Sequence, residues 1–338
     1  MIRVALVGCG GISHLHRNAL LSLRDRVQVS VTVDTIEERA RRAAEELGAD
    51  TWTNDYRKAP DRCDAAILAL PHHLHHPVGM EFLTAGKHVL MEKPLANTEE
   101  ECLQLIEASE AAGTVLMVGY CMRFHPLVLK LREILQSGEY GVPFHISLWT
   151  EQHTEVAQDS WIADPEKLGG GQLFSHGCHY VDLLLYFLGA PVAGVHMGTN
   201  LGTPWMKREG TSDLILKFDN GALGYHGATW GARGSRLGYA IHAHTPSGML
   251  EADLSRGRLS LLRCSEETVL AETGPTVKYG QAQLRHFLDC IERKTRPITD
   301  GPDSLTGLRV IWRLYEAERL GQVADLRGLQ LAQADRTP

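Results

Sequence analysis

Residues 2–13 read Ile2-Arg3-Val4-Ala5-Leu6-Val7-Gly8-Cys9-Gly10-Gly11-Ile12-Ser13. A short run of mostly branched apolar residues ends at a glycine, the pattern of a strand buried on both faces. Residues 12–23 then place Ile12, Leu15, Ala19 and Leu23 at helical spacing. In a strand–turn–helix corner of this kind the first glycine permits the tight turn. The next ones let the backbone approach a pyrophosphate, whose charge faces the N–H groups at the helix start. Gly8, Gly10, Gly11 and Ile12 are therefore candidate cofactor contacts, and Ser13 stands where the fingerprint has its third glycine. Asp34 lies 21 residues beyond Ser13, at the end of the next expected strand, 28–34, where a carboxylate can bind an adenosine ribose. A carboxylate there accepts from both ribose hydroxyls and repels a 2′-phosphate, so NAD is the expected cofactor. NADP is admitted if Arg39 offsets that repulsion.

Working outward, the same alternation repeats. Strands are expected over 64–70, 88–91 and 115–119, and helices over 36–47, 75–85 and 99–112. Strands separated by helices of about a dozen residues imply right-handed βαβ units and a parallel sheet. After residue 120 the pattern changes. Helices are expected over 126–136, 177–188, 281–293 and 302–320. Extended runs fall at 143–151 and recur from 191 to 264, with Asp219-Asn220-Gly221 as hairpin chemistry among them. The fold class is thus an α/β Rossmann domain followed by an α+β domain with a large, mostly antiparallel sheet. The expected division is 1–120 for dinucleotide binding and 121–338 for substrate and oligomerisation.

The composition fits two cores. The chain has 338 residues, 43% of them hydrophobic and 22% charged, which excludes a disordered polyelectrolyte. A net charge of −7 argues against a nucleic-acid surface or a polybasic membrane anchor. No apolar run reaches the roughly 18–20 residues of a bilayer crossing, and the first residues lack a leader pattern. The seven cysteines are scattered and contain no C-x-x-C, so a reducing, cytoplasmic location is expected.

Two strand ends carry candidate chemistry. Pro71, His72 and His75 follow the expected strand 64–70, at the carboxyl edge where open sheets bind ligands. The four histidines within 72–76 have poor ligand spacing and no adjacent carboxylate or cysteine. They are expected to cap the next helix and line the cofactor cleft, with no metal. Glu92-Lys93-Pro94 ends the strand 88–91. A lysine before proline is pushed out of the helical region, which suits an extended strand end carrying an ammonium into a cleft as an acid–base group. On spacing alone, a surface lysine paired with Glu92 explains the same residues.

Taken together, GCGGIS at 8–13, LPHHLHHPVGMEFLTAGKHVLMEKPLA at 70–96 and GGGQLFSHGCHYVDLLLYFLG at 169–189 resemble the glucose–fructose oxidoreductase/inositol dehydrogenase (Gfo/Idh/MocA) family. The resemblance runs from residue 1 to about residue 326. It implies an N-terminal Rossmann domain and a C-terminal domain on an open-faced sheet often used for homo-oligomerisation. It also implies NAD(P)-dependent oxidation or reduction of a sugar, inositol or related polyol. By position, Lys93 matches the family's catalytic lysine, commonly preceding a cis proline, and His179 its catalytic histidine. Gly8, Gly10, Asp34, Pro71, His75 and Glu92 match cofactor contacts. Arg123, Trp161 and Lys167 fall on the substrate side.

The chain departs from the pattern at Ser175, where many members carry an aspartate four residues before the histidine. Serine can hydrogen-bond a sugar hydroxyl but brings no charge, and His176 is expected to take over part of that role. With the helix expected to begin near residue 176 or 177, His179 falls in its first turn. The positive end of the helix would then keep the imidazole uncharged and able to accept a hydroxyl proton, with Asp182 on the same face. Two other readings compete: an NAD-dependent hydrolase or lyase working by transient oxidation and elimination, and a nucleotide-binding sensor without turnover.

Overall fold

In the computed structural model, which describes residues 1–329, the opening run forms strand β1 (Ile2–Val7), and the glycine corner leads into helix α1 (Ser13–Ser22). Alternation continues through β2 (Val27–Val33), α2 (Glu37–Leu47), β3 (Thr51–Thr53), β4 (Ala65–Leu68), α3 (His75–Thr84), β5 (His88–Met91), α4 (Glu99–Ala112) and β6 (Leu116–Val118). The six strands are all parallel, in the order β3-β2-β1-β4-β5-β6. Chain order reverses beside β1, so the crevice at the carboxyl ends of β1 and β4 is the switch point where such sheets bind ligands. Val4, Leu6, Ile67, Leu68 and Val89 are fully buried, each contributing about 1.5–3 kcal/mol over exposure. Local signals set the helix ends. Gly48 closes α2 at φ 66°, and Thr98 with Glu101 forms a reciprocal capping box at the start of α4. In this sheet β3, three residues long with a half-exposed face, escaped the pattern reading.

The second region has α5 (Pro126–Ser137), β7 (His145–Glu151), the single turn α6 (Pro165–Leu168) and α7 (Cys178–Leu188). There follow β8 (Pro191–Thr199), β9 (Thr211–Phe218), β10 (Leu223–Thr229), β11 (Tyr239–Thr245), β12 (Gly248–Asp253), β13 (Arg258–Arg263) and β14 (Glu266–Glu272). Helices α8 (Gly280–Arg293) and α9 (Gly301–Leu320) and the short β15 (Ala324–Asp325) complete the described chain. Among the described residues these strands form one nine-stranded sheet, β14-β13-β12-β11-β7-β10-β9-β8-β15. Every pairing is antiparallel except that of β7 with β10. The Asp219-Asn220-Gly221 turn joins β9 to β10, with Gly221 at φ 86°.

Contacts divide the described chain into two compact units, residues 1–121 with 279–305, and residues 122–278 with 306–329. Residues 279–305, expected in the second domain, thus return to the first. Gly280 at the start of α8 shows why: an added Cβ would stand 2.7 Å from Leu15 Cγ of α1. Residues 330–338 of the expected second domain lie outside the described range.

Candidate active site

The first unit supplies a glycine corner. Gly8 sits at φ 92°, and a Cβ there would run into the carbonyl oxygen of Ala69 at the end of β4. Gly10 and Gly11 differ: a Cβ at either would meet no atom within 4 Å. Packing inside the chain therefore does not explain glycine at those two positions, whereas a ligand pressed against the backbone does. Ile12 begins α1 without a side-chain cap, and no acidic residue lies in the first turn, which leaves the helix start suited to an anion. Ser13 is fully buried, its hydroxyl donating to the Gly10 carbonyl at 2.5 Å. Asp34, half-buried, accepts from the Cys9 N–H at 2.9 Å through one oxygen and from the Ile36 N–H at 2.9 Å through the other. Each oxygen keeps a second lone pair for a hydroxyl. These residues fit a dinucleotide. Arg39 is exposed on α2.

The next strand ends frame this corner. His72 is buried, with its ring 5.6 Å from that of His75. His75, expected as a cofactor contact, braces two neighbouring segments. Its ring nitrogens lie 2.7 Å from the Pro94 carbonyl and 3.0 Å from that of Leu70, and burial holds its pKa below the ordinary range. Pro71 is half-buried in the turn before it. Glu92 is buried at the end of β5, with Oε1 2.7 Å from His16 Nε2 of α1, while Oε2 accepts the Lys93 N–H at 3.3 Å. Lys93 is half-buried and precedes the cis peptide to Pro94. Sequence reasoning missed His16. Its signal was Ile12 spacing alone, since His16 is four residues on and shares that inward face. Among the described residues, no group of three or more His, Cys, Asp or Glu side chains is arranged to hold a metal.

The second unit supplies the histidine helix, and here the structure corrects the sequence reading. Helical backbone starts at Gln172, passes through a π-helical turn, Leu173–Gly177, and continues as α7. His179 is therefore about two turns from the positive end, beyond the reach of an effect that fades within the first turn. Gly170 and Gly171, just before Gln172, are close-packed: a Cβ at Gly171 would fall on the Glu209 carboxylate. Asp182 pairs with Arg123. Both its oxygens take Arg123, Nε to Oδ2 and Nη2 to Oδ1 at 2.7 Å each, in a buried pair. Arg123, expected on the substrate side, is further held with its Cζ 4.1 Å from the Tyr186 ring centroid. Trp161 packs with Trp205 and Ile162 against the Leu168, Met206 and Trp230 core. Lys167 reaches Asp164 at 3.3 Å on the surface.

Ser175, His176 and His179 are all buried on this helix. The His176 ring lies 6.0 Å from that of His179, 5.4 Å from Tyr180 and 6.3 Å from Tyr239. Gln152 Nε2 donates to the Tyr239 hydroxyl. Tyr239 and Tyr180 were not singled out from sequence, because nothing in a β11 tyrosine announces a histidine 63 residues earlier.

Comparison with known proteins follows this division. The family described as an oxidoreductase family with an NAD-binding Rossmann fold matches residues 2–120, and the GFO/IDH/MocA C-terminal domain matches residues 128–251. The chain is 27% identical to scyllo-inositol 2-dehydrogenase (NAD(+)) of Bacillus subtilis over 326 residues, covering 91% of this chain and 92% of that protein. It is 28% identical to D-xylose 1-dehydrogenase (NADP(+)) 2 of Haloferax volcanii, covering 86% and 89%. Among solved structures it is similar to a levoglucosan dehydrogenase in complex with NADH, with TM-score 0.87, 21% identity and coverage of 96% and 99%. No described helix is long and apolar enough to cross a membrane.

Proposed function

The chain belongs to the GFO/IDH/MocA family of NAD(P)-dependent oxidoreductases, and from that premise we propose that it moves a hydride between a secondary hydroxyl of a sugar, inositol or related polyol and a nicotinamide. What carries the reading is the open Gly10–Gly11 backbone beside Asp34, with Lys93 on the same carboxyl edge of the same sheet. The bound dinucleotide supplies the hydride acceptor or donor. The backbone from Gly8 to Ile12 holds its phosphates. Asp34 accepts from the ribose hydroxyls and disfavours a 2′-phosphate, so NAD is preferred over NADP. Glu92, fixed by His16, orients the strand end that carries Lys93. The Lys93 ammonium donates to the carbinol oxygen and stabilises its developing negative charge, while His179 takes the hydroxyl proton. Ser175 and His176 orient neighbouring hydroxyls, and Pro71 and His72 border the cofactor.

The experiment is a panel of inositols, aldoses and anhydrosugars with NAD+ and NADP+, followed by nicotinamide absorbance. Polyol-dependent reduction of NAD+ is expected. Lys93→Ala and His179→Ala should each lower kcat by about 100-fold or more with dinucleotide affinity retained. No signal from any polyol, or unchanged kcat in both variants, overturns the reading.

We further propose a homo-oligomer through the open face of the large sheet. Met197, Ile215 and Leu223 are exposed there on adjoining strands; Met197 pairs with Asp213 and Leu223 with Lys217, so by the alternation of β9 both share the face of Ile215. Light scattering should give a multiple of the chain mass. A monomer at micromolar concentration rejects it.

A further inference from the structure

The helix that carries Ser175, His176 and His179 begins without any cap of its own. The first four N–H groups of a helix lack partners within it, and Gly171 has no side chain to offer. Two residues remote in sequence close this end. Gly171 N–H and Phe174 N–H both donate to Tyr315 Oη, at 3.2 Å each. Gln172 N–H donates to the main-chain carbonyl of Glu209 at 2.8 Å, and Leu173 N–H to its Oε1 at 3.3 Å. Tyr315 in turn donates to Glu209 Oε1 at 2.5 Å, so its hydroxyl uses one donor and two acceptor sites in full. Ser175 N–H to the Gly171 carbonyl, at 2.9 Å, is the first bond the helix makes for itself.

The rest of the neighbourhood is built around this pair. Gly171 leaves room for the Glu209 carboxylate, and at Gly198 a Cβ would stand 2.7 Å from Glu209 Cβ. The His196 ring meets Tyr315 edge-on, with centroids 5.3 Å apart. His196 is itself held between Glu318 Oε2 at 2.8 Å and Ser212 Oγ at 2.9 Å. Burial pushes the Glu209 carboxyl up in pKa, against the Tyr315 hydroxyl, the nearby His196 and the Leu173 N–H, which favour the anion.

We propose that Glu209 and Tyr315 are positioning residues for the proposed polyol chemistry, a tertiary cap that fixes the register of the helix bearing His179. The inference rests on the reading of His179 given above. Without the cap, the turn over residues 172–175 loses its anchors and the π-helical turn can relax, carrying the histidines with it. A misplacement of about 1 Å costs on the order of 100-fold in rate.

The test measures kcat and both KM values for Glu209→Ala, Glu209→Gln and Tyr315→Phe in the full chain. Glu209→Ala should lower kcat by about 30-fold or more, with the dinucleotide KM within about twofold. Glu209→Gln retains an oxygen that accepts from Leu173 and Tyr315, and should recover kcat to within about fivefold of wild type. Tyr315→Phe should lose about tenfold. A Glu209→Ala protein with kcat within about threefold of wild type overturns the proposal; so does an equal loss in Glu209→Ala and Glu209→Gln. If Glu209→Ala does not fold, Tyr315→Phe decides by the same threefold criterion. Unchanged kcat in His179→Ala defeats the underlying reading instead, whereas a His179 effect without a Glu209 or Tyr315 effect defeats this inference alone.

Discussion

Two helices in this molecule start at glycines and use their starts in opposite ways. At α1 the backbone of Gly10 and Gly11 is open, Ile12 offers no side-chain cap, and no carboxylate lies in the first turn. At Gln172 the same groups are closed by Tyr315 and Glu209, and glycine is present because the cap itself fills the space a Cβ would take. An N-terminus left uncapped is available to an anionic ligand; one capped by the protein cannot bind a ligand there and serves to hold its own helix still. Glycine alone does not distinguish the two. What distinguishes them is whether the atoms a Cβ would meet belong to the chain.

That difference can be broken open inside the first corner itself, where the largest stability effect is expected. Gly8→Ala places a Cβ against the Ala69 carbonyl in a left-handed backbone conformation. Strain and overpacking together should cost roughly 3–5 kcal/mol, read as a fall in the urea midpoint. Gly10→Ala has neither problem, so its midpoint should stay within about 0.5 kcal/mol of wild type. Its KM for the dinucleotide should rise by about tenfold or more, as a methyl now stands where the backbone approaches the phosphates. Equal destabilisation by the two substitutions would show that Gly10 is a packing glycine like Gly8.

Legibility follows the range of the interactions. The glycine corner, Asp34 and the strand ends were readable because each signal is local: a turn conformation, a spacing of 21 residues, a lysine before a proline. The parallel sheet came with them, since alternation and crossover handedness leave few choices. The second unit was readable as strands, helices and a candidate histidine, but not in the tertiary contacts that hold them. Residues 172–176 gave no helix-start signal, because their cap comes from residues 209 and 315. Arg123 was expected on the substrate side from the resemblance, and its pairing with Asp182 was not legible, because a buried, bidentate pair and two unpaired polar residues look identical in one dimension. The return of α8 to the first unit rests on Gly280 against Leu15, a contact across 265 positions. β12 and β14 were missed because charged and small residues interrupt their alternation.

A smaller effect should separate the two regions by pH. His226 is fully buried against the histidine helix, its ring stacked on Tyr180 with centroids 4.5 Å apart. Nδ1 lies 3.1 Å from the Leu148 carbonyl, and Nε2 has no hydrogen-bond partner among the described residues. Burial, outweighing the bond to Leu148 and reinforced by His196, pushes its pKa down to about 4. The unfolded chain, with a histidine near 6.5, binds the proton first. Stability from this group is therefore complete above about pH 6.5 and is lost as pH falls toward 4, by roughly 2–3 kcal/mol. His226→Gln keeps a donor for the Leu148 carbonyl and removes the titration. Its urea midpoint should start lower at pH 7, then fall less steeply than wild type between pH 6.5 and 4. The Gly10→Ala protein, altered only at the other helix start, should keep the wild-type slope. If His226→Gln follows the wild-type slope as well, the proton uptake belongs to another buried histidine, with His125, also held near 4 by burial, the next to replace.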